Sequence, residues 1–288
     1  MKQILVTGSN GQLGSELQFL SQKYTQYKFF FTDVKELDIT NIQELQTFFD
    51  AHNIGYIINC AAYTEVDKAE EEKEFANLLN HQAVSNLLEA SEEKQSKLFQ
   101  ISTDYVFGGS HNVPLKEDLE TKAESVYGIS KLKGEKTALE SGRAIVIRTS
   151  WLYSSYGNNF VKTIQKYARE RDALSVVFDQ VGTPTYARDL AQSILDIIDF
   201  TEEKNEFKAG VYHYANEGVL SWYDFAIEIC NISHIDVKIE PVLSEQFPTP
   251  AKRPEYSVLD KTKIKSTFNI SIPYWKDSLK TCIGIIEN

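Results

Sequence analysis

The sequence predicts an α/β protein built on a parallel sheet that carries helices on both faces. Short apolar runs recur through the first half of the chain, and longer segments with the period of a helix separate them. Consecutive parallel strands need a crossover, usually a helix, so this alternation indicates a doubly wound sheet. With 288 residues, the chain is long enough to bury a complete hydrophobic core. We assign strands to the runs Ile4–Val6, Phe29–Phe31, Tyr56–Ile58, Leu98–Ile101 and Ile145–Ile147.

The segment after the second strand shows the helical period most clearly. Thr40 and Gln43 have the spacing of a capping box, which predicts that Thr40 caps the amino end of a helix. The apolar residues that recur on one face of this helix are Ile42, Leu45, Phe48 and Phe49.

Past the fifth strand the alternation becomes less regular, which indicates a smaller second lobe. A helix is predicted over residues 189–199, followed by a solvated, glutamate- and lysine-rich connection at Thr201–Lys208. We assign the strand-like run Val211–Tyr214 to this lobe. The predicted domains are residues 1–150, which also receive part of 173–200, and residues 151–288, which mainly form a carboxyl-terminal α/β lobe.

Composition and charge exclude several classes of protein. The 41 acidic against 30 basic residues give a net charge of -11, which argues against a surface for nucleic acid. The three cysteines are far apart and form no C-x-x-C pair, so we expect a reducing compartment without disulfides or zinc. A strand begins directly after Met1, and no apolar run is long enough to cross a bilayer. We therefore expect a cytoplasmic protein with no membrane partner.

A glycine-rich segment, Thr7–Gly14, joins the first strand to the first helix. Its T-G-x-x-G-x-x-G pattern assigns each glycine a geometric role: Gly8 turns tightly out of the strand, Gly11 lets the backbone approach a pyrophosphate, and Gly14 packs the helix against the sheet. The N–H groups at the helix start would face the phosphates. An ordinary strand-to-helix turn is the alternative, but the position of this segment favours a dinucleotide site and a Rossmann-type sheet.

The second strand ends at Asp33, about where an acidic side chain contacts the adenosine ribose in such folds. On this residue alone NADH is favoured, because a carboxylate disfavours a 2'-phosphate. Lys35 lies close enough to offset the charge, so NADPH stays open. The alternative for Asp33 is a solvated turn residue.

A tyrosine and a lysine, Tyr127 and Lys131, have the four-residue spacing that places side chains on one face of a helix. A nearby ammonium favours the phenolate, so the pair can act as a tuned acid. The spacing alone proves little, because Tyr24 and Lys28 repeat it. The position of Tyr127 and Lys131 in the chain distinguishes them from the second pair, because they follow the fourth strand. Ligands bind at the carboxyl ends of strands in parallel sheets, and Thr103 lies at that end of the fourth strand.

The other polar residues allow fewer interpretations. Without the neighbouring motifs, Thr103 and Asp104 would be a strand end that caps itself. None of the five histidines pairs with a serine, cysteine or carboxylate motif, so hydrolase and metal-site chemistry lack their components.

Thr7–Gly14 together with Tyr127–Lys131 resembles the extended short-chain dehydrogenase/reductase superfamily. Within it, the sequence resembles the dTDP-4-dehydrorhamnose reductase family from residue 1 to about residue 280. The segments that carry this resemblance are Asn59–Thr64, Val66–Glu70, Ser102–Phe107, Arg148–Trp151, Gly157–Phe160, Asp179–Thr185 and Pro248–Pro254.

The resemblance implies reduction of the C4 keto group of dTDP-4-dehydro-β-L-rhamnose, the last step of dTDP-L-rhamnose synthesis. Tyr127 would donate the proton to the C4 oxygen, Lys131 would hold the nicotinamide ribose and lower the pKa of Tyr127, and Thr103 would tune the proton transfer. We expect NADPH as cofactor, with NADH possible. Expected cofactor contacts, besides Tyr127 and Lys131, are Gly8, Asn10, Gly11, Gln12, Leu13, Gly14, Asp33, Asp38, Ile39, Ala62, Tyr63, Thr64 and Ile101; expected substrate contacts are Thr103, Asp104, Trp151 and Arg253.

Two features depart from the family pattern. Gly108–Gly109 follows the Thr-Asp-Tyr-Val-Phe run, where the family often has aspartate or proline. Some members bind Mg²⁺ between subunits through a glutamate on the first helix and acidic residues after the Pro-Thr element. Glu16 matches the first position, but Thr185–Asp189 does not clearly supply the rest, so we predict no tight metal and leave monomer or homodimer open.

Two other classes of function are compatible with parts of this sequence: a related nucleotide-sugar enzyme and a binding subunit. Another nucleotide-sugar reductase, an epimerase or a dehydratase would share these motifs, and Asp104 occupies the position where a dehydratase would add a carboxylate. A non-catalytic NAD(P)-binding regulatory subunit would be expected to lose the tyrosine or the lysine, and both Tyr127 and Lys131 are present.

Overall fold

The computed structural model describes residues 1–109 and 111–287, and a six-stranded parallel sheet lies at its centre. The first half of the chain supplies five of its strands and the helices between them. In chain order these elements are β1 (Lys2–Thr7), α1 (Gln12–Ser21), β2 (Tyr27–Phe31), α2 (Ile42–Ala51), β3 (Ile54–Asn59), α3 (Lys73–Asn77), α4 (Ala83–Ala90), β4 (Lys97–Thr103), α5 (Val126–Glu140) and β5 (Ala144–Thr149).

The second half of the chain adds short strand pairs, five helices and one more strand of the main sheet. Its elements are β6 (Leu152–Tyr153), α6 (Phe160–Glu170), β7 (Ala173–Val177), β8 (Val181–Gly182), β9 (Thr185–Tyr186), α7 (Ala187–Lys204), β10 (Gly210–His213), β11 (Leu220–Ser221), α8 (Trp222–Ile232), β12 (Lys238–Val242), α9 (Thr262–Phe268) and α10 (Trp275–Ile286).

The strands of the main sheet lie in the order β10-β5-β4-β3-β1-β2, so the chain leaves β1 towards one edge and returns on its other side at β3. Side chains alternate between the two faces: Ile4 and Val6 pack with α1 and α7, and Leu5 packs with α2 and α4. All three are fully buried. Because both faces are covered, the strands are continuous apolar runs, as predicted.

The order of the strands places a crevice at the carboxyl ends of β1 and β3. Ligands bind at such reversal points in open parallel sheets. The loop after β1, the segment after β3 and the end of β4 all reach this edge of the sheet.

Two predicted boundaries are wrong by a few residues, for local reasons. Asn41, not Thr40, caps α2: its side chain accepts from the backbone N–H groups of Gln43 and Glu44 at 3.1 and 3.4 Å. The Thr40 hydroxyl instead donates to Asp38 at 2.7 Å. Helix α7 continues through the first half of the segment predicted as a solvated connection, because Thr201 lies on its buried face.

The run Val211–Tyr214, assigned from the sequence to the smaller lobe, belongs to the main sheet. As β10 it pairs in parallel with β5, placing Val211 opposite Val146 and Tyr212 opposite Ile147. Ile264 and Phe268 of α9 join the core on the α1–α7 face. The edge of β5 thus receives its partner from much later in the chain. The division into two domains at residue 150 stays a prediction.

A second apolar cluster forms beside the carboxyl edge of the main sheet. Helices α6, α8 and α10 enclose it, and β7 and β12 pair along one side. The members of this cluster that are exposed by 1% or less include Tyr153, Val161, Phe225, Ile229, Leu279 and Ile283.

Within the described residues, no helix has the length and hydropathy to cross a membrane.

Candidate active site

The glycine loop needs glycine at two positions because other backbone lies against it. Gly8 has a φ of +60°, and a Cβ there would lie 2.6 Å from the backbone nitrogen of Ala61. A Cβ on Gly14 would lie 2.5 Å from the carbonyl oxygen of Gly8. Gly11 is less restricted, with the nearest atom at 3.2 Å. The loop therefore holds β1, α1 and the segment after β3 in close contact.

The amino end of α1 opens at the carboxyl edge of the sheet. Gly11 is its N-cap residue, and no side chain among the described residues caps it. The first N–H groups of a helix have no partner inside the helix, so this end can donate to an anion. Gln12 and Leu13, expected at the pyrophosphate, form the first turn. The geometry fits a phosphate cradle.

Asp33 stands beside this loop. One of its carboxylate oxygens accepts from the N–H of Asn10 at 3.1 Å, and the other accepts from the N–H of Val34 at 2.8 Å. Asp33 therefore orders the loop and its own turn, while its contact with the adenosine ribose stays a prediction. Asp38 and Ile39 follow in the next turn, where Asp38 binds the backbone and side chain of Thr40.

The third cofactor segment, which contains Ala62, Tyr63 and Thr64, is tied to α5 through Asn80. The side chain of Asn80 accepts from the Tyr63 N–H at 2.9 Å, donates to the Tyr63 carbonyl at 3.1 Å and donates to the Ser130 hydroxyl at 3.0 Å. Asn80 is buried, in a π-helical turn between α3 and α4. Such turns are frequent at functional sites, but they leave no pattern in a single sequence, so sequence reasoning missed Asn80.

Tyr127 reaches the end of β4 because α5 begins very close to the turn that follows this strand. Ser125 caps α5 by accepting from the Gly128 N–H at 3.1 Å. A Cβ on Gly128 would lie 2.4 Å from the Tyr105 carbonyl oxygen. The rings of Tyr105 and Tyr127 consequently meet edge to face, with centroids 5.4 Å apart. The first turn of α5 is thereby fixed against the strand that presents Thr103.

Burial controls the pKa of both Tyr127 and Lys131. Burial raises the pKa of Tyr127 to about 12, and the Thr103 hydroxyl acts in the opposite direction. Burial also lowers the pKa of Lys131 to about 8. The Lys131 ammonium donates to the carbonyl oxygen of Ile101 at 2.6 Å. The role expected for Lys131 in lowering the pKa of Tyr127 stays a prediction.

Beneath Lys131 lies a buried ion pair that the sequence did not reveal as part of the site. Arg148 donates from two nitrogens to the two carboxylate oxygens of Glu135, at 3.0 and 2.8 Å. Ser102 donates to the same carboxylate at 2.5 Å. The Glu135 charge favours the ammonium form of Lys131 against burial. This pair joins β4, α5 and β5 directly under the reacting groups.

A cavity of about 590 Å³ adjoins the end of β4. Trp151 and Trp222 stack on one of its walls, with ring centroids 3.7 Å apart. Burial raises the pKa of Asp104, another lining residue, to about 7. Arg253 also lines the cavity and pairs with Asp67 at 2.7 Å. Three of the four expected substrate residues, Asp104, Trp151 and Arg253, thus line one aromatic cavity. The fourth, Thr103, is not a lining residue but directly precedes Asp104, at the end of β4.

The environment of Glu16 does not fit a divalent cation. Glu16 is fully buried, and one of its oxygens accepts from the Nε of Arg188 at 2.7 Å while the other accepts from the Ser154 hydroxyl at 2.6 Å. The Arg188 guanidinium lies over the Phe19 ring, 4.1 Å from its centroid. A hard cation needs six or more oxygen ligands, whereas here an arginine occupies the position after the Pro-Thr element. Among the described residues, no cluster of three metal-ligating side chains occurs elsewhere.

Comparisons with known proteins agree over the whole chain. The family model described as RmlD substrate binding domain matches residues 1–287. A dTDP-4-dehydrorhamnose reductase from Aggregatibacter actinomycetemcomitans is 40% identical, covering 100% of both chains. The structure of such a reductase from Clostridium acetobutylicum is 43% identical with a TM-score of 0.93 and covers 99% of this chain and 100% of that one. Another from Bacillus anthracis, in complex with NADP, is 38% identical with a TM-score of 0.93, covering 100% of both.

Proposed function

This chain belongs to the RmlD substrate binding domain family, and we propose that it reduces the C4 keto group of dTDP-4-dehydro-β-L-rhamnose to give dTDP-L-rhamnose. The observation that carries the proposal is that a phosphate cradle, the Tyr127–Lys131 pair and an aromatic cavity meet at one edge of a single sheet. Its relatives carry the name of this reductase. The reaction completes the synthesis of an activated deoxysugar.

The residues of this chain supply the proton and hold the reacting atoms. Bound NADPH supplies the hydride that attacks the C4 carbon. Tyr127, whose raised pKa keeps it protonated near neutral pH, gives its proton to the C4 oxygen as negative charge develops there. Thr103 donates to the same oxygen and stabilises that charge. The product is the C4 alcohol, and the tyrosinate takes its next proton from solvent.

Lys131 fixes the geometry of this transfer. The ammonium, which donates to the Ile101 carbonyl, would hold the hydroxyls of the nicotinamide ribose when the cofactor is bound. Asn80 keeps the segment at Tyr63 in register with α5. Preorganisation of this kind contributes because no group must move during the transfer.

The nucleotide end of the substrate would occupy the aromatic cavity. Trp222, Phe160 and Tyr167 offer apolar ring surface to a base, and Arg253 offers a cation to the diphosphate. Arg253 keeps its direction through its contact with Asp67. The Val66–Glu70 segment, which contains Asp67, therefore helps to position a residue of the substrate site.

We propose NADPH as the cofactor, with NADH also accepted. The Bacillus anthracis relative binds NADP, whereas the Asp33 carboxylate beside the loop favours an unmodified ribose. We propose a cytoplasmic location, which a nucleotide cofactor and a nucleotide-sugar substrate support. The active form is a monomer or a homodimer, and the Glu16–Arg188 pair leaves no vacancy for a metal that would join two subunits.

The test is cofactor oxidation by the purified chain with dTDP-4-dehydro-β-L-rhamnose, followed by absorbance and by identification of the sugar product. One dTDP-L-rhamnose per NADPH consumed is the expected result. Release of product without net cofactor oxidation would indicate an epimerase or dehydratase. Tight NADPH binding without turnover of this or any related keto sugar nucleotide would indicate a non-catalytic subunit.

A further inference from the structure

The segment Asp179–Thr185 resembles the family, yet none of its residues takes part in the proposed proton or hydride transfer. Gly182 lies in its middle, in β8. An ideal Cβ on Gly182 would lie 2.7 Å from both Cε2 and Cζ2 of the Trp151 indole and 2.4 Å from the hydroxyl of Ser257. Contacts this short force a neighbour to move. The absence of a side chain at Gly182 therefore makes the space that the indole ring of Trp151 fills.

Trp151 has little freedom to move elsewhere. Its backbone φ is +49°, in the left-handed region that residues other than glycine rarely adopt. Its ring stacks on Trp222 with an interplanar angle of 14°, and Phe160 lies beyond, 4.5 Å from Trp222 between centroids. Gly182 thus contacts Trp151, Trp151 stacks on Trp222, and Trp222 contacts Phe160. A displacement of the Trp151 ring would therefore pass to the other two rings.

One short ladder fixes both ends of the tryptophan pair. Strand β8 pairs antiparallel with β11, so Gly182 lies opposite Leu220 and Val181 opposite Ser221. Trp222 follows directly and opens α8, where Ser221 and Asp224 form a capping box. The same two strands therefore place both Gly182 and Trp222 in contact with the Trp151 ring.

We propose that Gly182 is a positioning residue for the sugar-nucleotide substrate, acting through the Trp151–Trp222 stack. Trp151 lies two residues beyond Thr149, which pairs with Thr103, so the stack forms the cavity wall next to the reacting end. The inference rests on the proposed function for its choice of substrate. The proton-transfer group lies on other elements, so Gly182 acts on substrate binding rather than on the chemical step.

The first test compares Gly182→Ala with Gly284→Ala in the full chain. A Cβ on Gly284, in α10, meets no atom within 4 Å. We expect Gly182→Ala to raise the KM for dTDP-4-dehydro-β-L-rhamnose on the order of tenfold, with kcat and NADPH affinity within about twofold. The Gly284→Ala variant should match the native protein. An unchanged KM in Gly182→Ala would overturn the proposal.

A double-mutant cycle separates positioning of Trp151 from a general loss of fit. Trp151→Leu removes the aromatic ring and with it the two indole carbons that the new Cβ would meet, so Gly182→Ala should raise KM much less in that background than in the native one. Residues in contact show such coupling, and independent residues do not. Equal effects in both backgrounds would mean that Gly182 acts elsewhere, for example through Ser257, and would contradict the proposal.

Circular dichroism in the tryptophan bands gives a readout that needs no turnover. Two of the three tryptophans in the chain form the stack, and stacked indoles couple their transitions. The coupled signal should weaken in Gly182→Ala and persist in Gly284→Ala. An unchanged signal in Gly182→Ala would refute the positioning role, whether or not the native protein oxidises NADPH. A native protein without turnover would instead refute the proposed function alone.

Discussion

Two tyrosine–lysine pairs with the same spacing lie in different parts of this molecule, and only one of them is built as a reactive group. Tyr127 and Lys131 share a turn of α5 at the ligand edge of the sheet. Tyr24 lies in the turn before β2, and Lys28 lies within that strand. Because a strand alternates its side chains, the four-residue spacing does not bring Tyr24 and Lys28 to one helix face.

The contacts of the two pairs differ in the same way. The hydroxyl of Tyr24 binds the side chains of Gln192 and Asp196 on α7, and Lys28 lies over the Phe30 ring, 4.7 Å from its centroid. These contacts join α7 to the edge of the sheet. The spacing of residue types therefore indicates chemistry only when the element that carries them delivers both side chains to a cleft.

Among substitutions other than those of the two tyrosines, the largest loss is expected for Lys131→Met, compared with Lys28→Met. Removing the Lys131 ammonium takes away the cation at the nicotinamide ribose, so kcat/KM should fall roughly 100- to 1,000-fold with weaker NADPH binding. The Lys28 variant should stay within about twofold. Stopped-flow or steady-state oxidation of NADPH gives both values. Similar losses of kcat/KM in the two variants would contradict the claim that only the Tyr127–Lys131 pair is reactive.

A stability effect is expected on the side of the molecule that carries Tyr24. Arg188→Met leaves the fully buried Glu16 without its partner, so the free energy of unfolding should fall by about 3 kcal/mol. Denaturant titration measures this, and Glu16→Gln combined with Arg188→Met should recover much of the loss. Mg²⁺ or EDTA should not shift the unfolding midpoint of the native chain. A higher unfolding midpoint with Mg²⁺ would indicate that the protein does bind this metal.

A smaller effect is expected from pH. The pKa of Lys131 is lowered to about 8, so the ammonium is present below that pH and is lost above it. We expect kcat/KM to fall up to tenfold per pH unit above about 8. The pKa of Asp104, raised to about 7, titrates in an adjoining window, and the Asp104→Asn variant separates the two. A flat profile from pH 7 to 10 in that variant would rule out control by Lys131.

The titration of these two residues also changes the stability of the fold, in opposite directions and in different pH ranges. Folding favours the neutral amine of Lys131, so its contribution to stability grows as pH rises from about 8 towards the usual lysine pKa. Folding favours the protonated form of Asp104, so its contribution is present at low pH and is lost as pH rises through about 7.

The parts of the fold that the sequence predicts are those encoded in neighbouring residues. The continuous apolar run Ile4–Val6 and the glycine spacing in Thr7–Gly14 are local patterns with few structural solutions. By contrast, β10 joins β5 across more than sixty residues of chain, and nothing within Val211–Tyr214 distinguishes the sheet it enters. Long-range pairing of this kind depends on which strand edge is still free.

The candidate site divides in the same way between local and assembled features. Tyr127, Lys131 and Thr103 follow from motif and position. Asn80 does not, because its role consists of contacts to Tyr63 and Ser130 that only the folded chain creates. Nor does the direction of the Lys131 ammonium, which depends on the Ile101 carbonyl. The sequence can thus predict which residues lie in the site, but not which atoms their side chains contact.

The central claim is that Tyr127, and not Tyr24, is the acid of the reaction. The direct measurement is NADPH oxidation with dTDP-4-dehydro-β-L-rhamnose by Tyr127→Phe and Tyr24→Phe, with cofactor affinity measured in parallel. We predict a fall in kcat of about 1,000-fold for Tyr127→Phe, with NADPH still bound, and near-native turnover for Tyr24→Phe. A Tyr127→Phe variant that keeps native kcat would contradict the account.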